Sequence, residues 1–339
     1  MDLTKFKLGV GPMSPNVVDL CIEYSKIYNF PIMIIASRNQ ADATSGYAFN
    51  TRELASFVKT HQSYDPARVL LCRDHCGPYF SDLDKGLTLD QAVARCFETI
   101  RADVDAGFDL IHIDVSKVTF DKQEHIATQL FDYALSLNTN LMFEFGSEDN
   151  TGENLQDSLN RLDDQLKFVS KYSDNVKYFV SQTGSLTKHT QVGSFSTIDN
   201  QQIADKIHSY GFLFKEHNAD YLTRDDVCLR RSVNVDAINI APQLGSTESK
   251  VMQSFADELG STYNQFVEFT LQQEYWKKWV TADIVDDATK FIASGHYCFN
   301  SNTGQQVYTK MILQGLPFFD VLKTKLFADL DEYRIGYKL

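Results

Sequence analysis

Short apolar runs rich in β-branched and aromatic residues alternate with longer amphipathic stretches along most of the chain. The runs lie near Phe6 to Val10, Ile32 to Ala36, Val69 to Cys72, Leu110 to Asp114, Leu141 to Phe145, Tyr178 to Ser181, Phe212 to Lys215 and Ala237 to Ile240. Between them, apolar positions at helical spacing mark Pro15 to Tyr28, Thr51 to Thr60, Leu89 to Ala106, Lys122 to Ser136, Asn154 to Tyr172, Asn200 to Tyr210 and Asp220 to Ser232. A strand followed by an amphipathic helix, repeated, is the pattern of parallel βαβ units. Thr88 ahead of Leu89 suits a helix start, and Gly107 after Ala106 suits its end. Eight strands in this alternation predict an α/β fold, a closed (β/α)8 TIM barrel over residues 1–245. Residues 246–339 carry helical patterning around Val251 to Leu259 and Tyr263 to Val280. They predict a C-terminal helical extension that completes the barrel, with no Pro- or Gly-rich linker to set it apart.

Composition narrows the partners. The chain has 339 residues, of which 43% are hydrophobic, enough for one large core. Its net charge of −13 is spread along the sequence, which argues against nucleic acid or an anionic membrane surface as partner. No run approaches the ~18 consecutive apolar residues of a spanning helix, and no basic, then apolar leader opens the chain, so a soluble, cytoplasmic protein is expected. The six cysteines are scattered without paired CxxC units and read as reduced thiols.

In a barrel of this kind chemistry occurs where the strands end, and the strand ends here are unusually polar. Asn39 and Gln40 follow the second strand and Arg73, Asp74 and His75 the third; His112 and Asp114 lie on the fourth. The fifth ends in Glu144 and Glu148, the sixth in Gln182 and Gly184, the seventh in Glu216 and His217, and the eighth holds Asn239. Each has a plain structural alternative. His112 and Asp114 share a strand face and can form one buried hydrogen-bonded pair, and Asn39 and Gln40 can satisfy loop backbone groups. The run of His, carboxylate and amide groups at consecutive strand ends is harder to explain that way. Imidazole and carboxylate suit zinc, and His75 and His217 with one of Glu144 or Glu148 make a three-ligand set that leaves Asp74 as a general base. Gly184-Ser185 and Gly193-Ser194 are candidate phosphate cradles. Walker, dinucleotide and GxSxG motifs are absent. A Schiff-base lysine inside the barrel is not expected, since Lys177 and Lys215 fall at strand edges.

These motifs resemble the class II D-tagatose-1,6-bisphosphate aldolase Z-subunit family, which is related to the zinc-dependent fructose-bisphosphate aldolases. The resemblance rests on Asn39-Gln40 with Ser45-Gly46-Tyr47, on Asp74-His75-Cys76-Gly77-Pro78 and on Ile111-His112-Ile113-Asp114. Gly146-Ser147-Glu148, Gln182-Thr183-Gly184, the stretch from His217 to Arg224 and Tyr275-Trp276-Lys277-Lys278 follow in the family's order. It implies His75 and His217 as ligands of a divalent ion, Zn2+, Asp74 as acid/base and Glu148 as third ligand or proton carrier. Glu144 remains a rival, because Glu144-Phe145-Gly146 is similar to a segment of the fructose-bisphosphate enzymes. Asn39, Gln40, Arg73, His112, Asp114, Gln182, Gly184 and Asn239 are then the expected substrate contacts. Cys72 and Arg73 depart from the family's two glycines and Thr183 from its proline, and Arg73 is expected to narrow the pocket or meet a phosphate.

The implied activity is aldol cleavage or condensation of a phosphorylated ketose, or C4 epimerisation through the same bond. The family also implies an alternative, a non-catalytic accessory subunit that stabilises a separate aldolase chain. A small-molecule sugar phosphate, a homo-oligomer or a partner aldolase subunit are the expected partners.

Overall fold

The computed structural model describes residues 2–147, 155–181, 195–280 and 286–338. Eight parallel strands close into a barrel: β1 (Leu8–Val10), β2 (Ile32–Ser37), β5 (Val69–Cys76), β6 (Leu110–Ile113), β7 (Met142–Ser147), β8 (Val176–Ser181), β9 (Leu213–Glu216) and β10 (Ala237–Ile240). A two-residue pair, β3 (Ala41–Asp42) and β4 (Phe49–Asn50), forms a small parallel sheet in the loop after β2. β1 pairs with both β2 and β10, which closes the ring. The expected TIM barrel is therefore present, with helices alternating between the strands.

Strand alternation divides the apolar residues into two cores. Ile32, Ile34, Val69 and Leu71 face the surrounding helices, whereas Met33, Ile35, Leu70, Cys72, Leu110 and Tyr178 fill the interior. Helices Pro15–Tyr28, Thr51–Thr60 and Leu89–Ala106 begin and end where their caps dictate: Ser14, Asn50 and Thr88 each accept a backbone N–H, and Gly107 ends the third in left-handed conformation. The helix expected from Asp220 starts later, at Arg224, because Asn218 and Tyr221 both have positive φ and Thr223 provides the cap. Asp220 instead accepts from the N–H groups of Ala241 and Gln243 and so ties the loop after β9 to the end of β10.

The C-terminal region packs onto the barrel through polar as well as apolar contacts. Helix Pro242–Gln253 follows β10 directly, and its buried Glu248 accepts from Ser14, Asn16 and Tyr308, joining the first loop to helix Asn302–Leu313. Tyr333 on helix Phe318–Gly336 donates to the Ala219 carbonyl at 2.9 Å. No described helix is long and apolar enough to cross a membrane.

Arg73, expected in the pocket, points the other way. Its neighbours Cys72 and Asp74 face the interior, so alternation sends Arg73 outward, where the guanidinium is buried between helices. It donates to Asp103 at 2.8 and 2.6 Å, to Thr51 at 3.1 Å and to the carbonyls of Ala36 and Ala41. Arg73→Met should leave the Asp103 carboxylate buried without its cation and cost ~3–5 kcal/mol in urea unfolding.

Candidate metal centre

At the C-terminal end of the barrel, Asp74, His75, His112 and His217 bring one possible ligand atom each to within 4.8 Å of one another. Simple alternation would place Asp74 and His75 on opposite faces of β5. The strand breaks register with β6 between Arg73 and Cys76, and His75 adopts a φ of 45°, a left-handed conformation uncommon for a residue with a Cβ. The bulge turns both side chains toward the mouth. His112 and His217 reach it from β6 and from the residue after β9, each two positions beyond an interior residue, Leu110 and Lys215.

Each imidazole has an acceptor beside it. His75 Nδ1 donates to Asp114 Oδ2 at 2.7 Å, which turns Nε2 toward the cluster. His112 Nε2 lies 3.0 Å from the Gly146 carbonyl, and a carbonyl only accepts, so Nε2 carries the hydrogen; Nδ1 accepts from the His75 backbone N–H at 3.4 Å and lies 3.6 Å from Asp74 Oδ1. His217 Nε2 lies 3.5 Å from Glu144 Oε2, with Nδ1 3.6 Å from Asp74 Oδ1. Asp74 Oδ1 thus faces two imidazole nitrogens at distances beyond a hydrogen bond, and it has no hydrogen-bond partner among the described residues. Three imidazoles gathered beside a carboxylate, two of them with an outer acceptor, form a donor set whose chemistry suits a divalent ion.

Two glycines permit this. A Cβ on Gly77 would sit 1.6 Å from the Asp114 carbonyl oxygen, so only glycine lets the loop after β5 pass over the residue that holds His75. Gly146, at φ 118°, turns on β7 where its carbonyl meets His112.

The charges are arranged to keep the carboxylates ionised. Burial raises the Asp74 carboxyl, but His75 and His217, then His112, outweigh it and hold the group well below the usual range. Asp114 follows the same balance: burial raises it, and its hydrogen bond with His75 brings it below normal. For Glu144, burial is outweighed first by Lys215 and then by His217, and the carboxyl falls from the ordinary 4.5 to about 2.

Lys215 corrects an expectation. It is not at a strand edge but fully buried inside the barrel, paired with Glu144 and 5.0 Å from the centre of the Tyr178 ring. β9 runs on through Glu216, which places Lys215 on the interior face with His217. Its ammonium is committed to Glu144, a support for the site rather than a free nucleophile.

The other expected residues fall differently. Asn239 projects inward from β10, only 4% exposed, and neither side-chain polar atom has a hydrogen-bond partner among the described residues. Asn39 sits at the rim, where Oδ1 accepts from the Asp82 N–H at 2.9 Å. Gln40 is turned to the loop, accepting from the Ser37 N–H at 2.8 Å. Glu148, Gln182 and Gly184, and both glycine-serine phosphate cradles, lie outside the described residues.

Residues 8–134 match the family model described as D-tagatose-1,6-bisphosphate aldolase subunit GatZ/KbaZ-like. Over this stretch the chain resembles that family. The match includes Asp74, His75, His112 and Asp114, and it bears out the resemblance read from the sequence. The chain is 27% identical over 105 residues to the D-tagatose-1,6-bisphosphate aldolase subunit GatZ of Klebsiella oxytoca, covering 30% of this chain and 24% of that protein. The matched stretch therefore spans about a quarter of this curated relative. Among solved structures, a probable tagatose 6 phosphate kinase from Sinorhizobium meliloti 1021 superposes with a TM-score of 0.78 at 15% identity, covering 97% of this chain and 99% of that one. Fructose-bisphosphate aldolase from Campylobacter jejuni superposes at 0.61 with 11% identity, covering 98% and 90%. At these identities the likeness is one of fold.

The buried Glu144 carboxyl makes a pH prediction. Its contribution to stability should be complete above the ordinary value of 4.5 and lost as pH falls toward about 2. Glu144→Gln should therefore flatten the dependence of urea-unfolding stability on pH between those limits; an unchanged slope would show that Glu144 is not held ionised by Lys215 and His217.

Proposed function

We propose that this chain is a divalent-metal-dependent aldolase of a phosphorylated ketose, a soluble, cytoplasmic enzyme of the class II kind. The observation that carries this reading is the convergence of His75, His112, His217 and Asp74, with an outer acceptor behind two of the imidazoles. The GatZ/KbaZ-like match over the strands that bear most of the cluster supplies the substrate class.

In this reading His75, His112 and His217 hold the ion, Zn2+ in the first instance, and Glu144, Asp114 and the Gly146 carbonyl orient them. Relative to the ligand set first drawn from the sequence, His112 takes the third place, and Glu144 stands behind His217. The bound ion would polarise the ketose carbonyl and stabilise the charge that develops as the C3–C4 bond breaks. Asp74, held ionised at the mouth, accepts the C4 hydroxyl proton during cleavage and returns it on condensation. Asn239 offers its unbonded amide to a sugar hydroxyl. Bond reformation after rotation of the aldehyde would invert C4, so the same residues also serve epimerisation.

A second reading draws on the relative's name, which describes it as an aldolase subunit. There the chain would stabilise a separate aldolase, as a partner subunit or within a homo-oligomer. The polar cluster favours catalysis, because a purely structural chain gains nothing from burying three imidazoles around a carboxylate.

The purified chain, stripped of metal, reloaded with zinc and incubated with a panel of ketose phosphates, should bind one ion and yield triose products or a 4-epimer. Asp74→Asn should lower turnover by about 10²–10⁴-fold with the metal retained. His112→Ala and His217→Ala should each lose the metal. A chain that takes up no metal and acts only by stabilising a second protein would establish the accessory reading instead.

A further inference from the structure

One hydrogen bond does not fix a ring. The bond from His75 Nδ1 to Asp114 at 2.7 Å holds one point of the imidazole and leaves the tilt of its plane open. A second contact sets that plane. The Phe80 ring lies on the imidazole of His75, with centroids 5.0 Å apart and planes 5° from parallel. His112 and His217 are also near, at 5.1 Å from His75, but their planes are turned from it by 47° and 78° and do not stack on it. Phe80 is half-buried at the mouth, five residues beyond His75, and supplies no ligand atom.

The turn that carries Phe80 is clamped at several points. A Cβ on Gly77 would lie 3.5 Å from Phe80 Cδ2, so the ring folds back over this glycine and over the Asp114 backbone beneath it. The Gly77 carbonyl accepts from Arg38 Nη1 at 3.1 Å. The Tyr79 N–H donates to Asp84 at 3.0 Å, and Arg38 holds Asp84 in turn. Arg38 and Asp84 are both buried, so solvent and salt screen this pair little. Tyr79 takes a φ of 68°, left-handed like His75, and its carbonyl accepts from Lys117 at 3.1 Å. The same ammonium lies 4.1 Å from the centre of the Phe80 ring. Lys117 is exposed and shares its surroundings with Asp114, Asp82 and Asp84, so the buried pair, not this lysine, carries the clamp.

We propose that Phe80 is a positioning residue for the metal centre: its ring sets the plane of the His75 imidazole and thereby the direction in which Nε2 meets the ion. A flat aromatic face restricts the tilt of a ring laid on it. An aliphatic side chain of similar bulk fills the same space and leaves the tilt free. The stacked ring also keeps water from one face of the imidazole, as the apolar shell of a metal site does. Through Gly77, Tyr79 and Phe80, the buried Arg38–Asp84 pair becomes part of what determines metal affinity. The inference rests on the metal centre of the proposed function, but not on its substrate.

The test is the zinc affinity of the full chain, measured by chelator competition, together with the visible absorption of the cobalt-loaded chain, whose bands report ligand geometry. Phe80→Leu should weaken zinc about 10-fold and shift the cobalt bands, as loss of an outer support does. Phe80→Tyr and Phe80→Trp, which keep a flat face, should restore most of the affinity and the wild-type bands. A role in packing alone gives a different result: Phe80→Leu would lower the urea-unfolding stability of the metal-free chain and leave zinc affinity and cobalt bands as in the wild type. That result would overturn the proposal, and so would aromatic variants that bind zinc no better than leucine. A chain that takes up no zinc would remove the metal centre and this inference together. Zinc affinity that follows the aromatic ring, without cleavage of any ketose phosphate, would count against the aldolase reading alone. Cleavage with a zinc affinity indifferent to Phe80 would count against the positioning role alone.

Discussion

His75 and His112 at the barrel mouth are each held from behind by an acceptor, and the rest of the site depends on that constraint. A histidine can offer a lone pair inward only if its other nitrogen has somewhere to place its hydrogen. Asp114 and the Gly146 carbonyl fill that role for His75 and His112, and the Glu144 carboxylate stands 3.5 Å from His217 Nε2. The acceptors need their own supports. Gly77 allows Asp114 to approach, the turn at Gly146 aims its carbonyl, and Lys215 keeps Glu144 charged inside the barrel. A site so supported is rigid before any ligand arrives, which is what a metal centre and an oriented base both require.

That rigidity has a cost in the surrounding fold. His75 stands in a left-handed backbone conformation, and such strain persists only where neighbouring structure over-determines it. The neighbours here are ionic. Arg38 grips Asp84 at 2.6 and 3.2 Å, Arg95 joins at 2.8 Å, and Asp84 accepts from the Tyr79 N–H, so the loop after β5 is anchored just beyond the strained residue. Arg73 and Asp103 anchor the strand behind it. Arg38, just after β2, and Arg73 of β5 thus hold the backbone that presents Asp74 and His75.

The barrel was legible in the sequence because its strands and helices differ in period, and helices Pro15–Tyr28, Thr51–Thr60 and Leu89–Ala106 begin and end at the residues their caps imply. Asp74, His75 and His217 were legible as residues of the candidate site because they lie at the ends of strands. What alternation could not reveal was the bulge in β5, which puts Asp74 and His75 on one side. The same period did carry unused signal. Lys215 lies two residues before His217 and must share its face, and Arg73 lies between two interior positions and must point out. His112 was open to two readings because a buried histidine on a strand looks alike in sequence whether it packs or coordinates. Asn39 and Gln40 turned out to serve the loop and rim, as short polar side chains after a strand often do.

The most direct test of the central claim is X-ray absorption at the zinc edge of the reconstituted chain. The geometry predicts a shell of nitrogen and oxygen ligands with outer scattering from three imidazoles, reduced by one ring in His112→Ala if metal is forced in at high concentration. A sulfur shell, which would implicate Cys72 or Cys76, or scattering from fewer than two imidazoles, would contradict it.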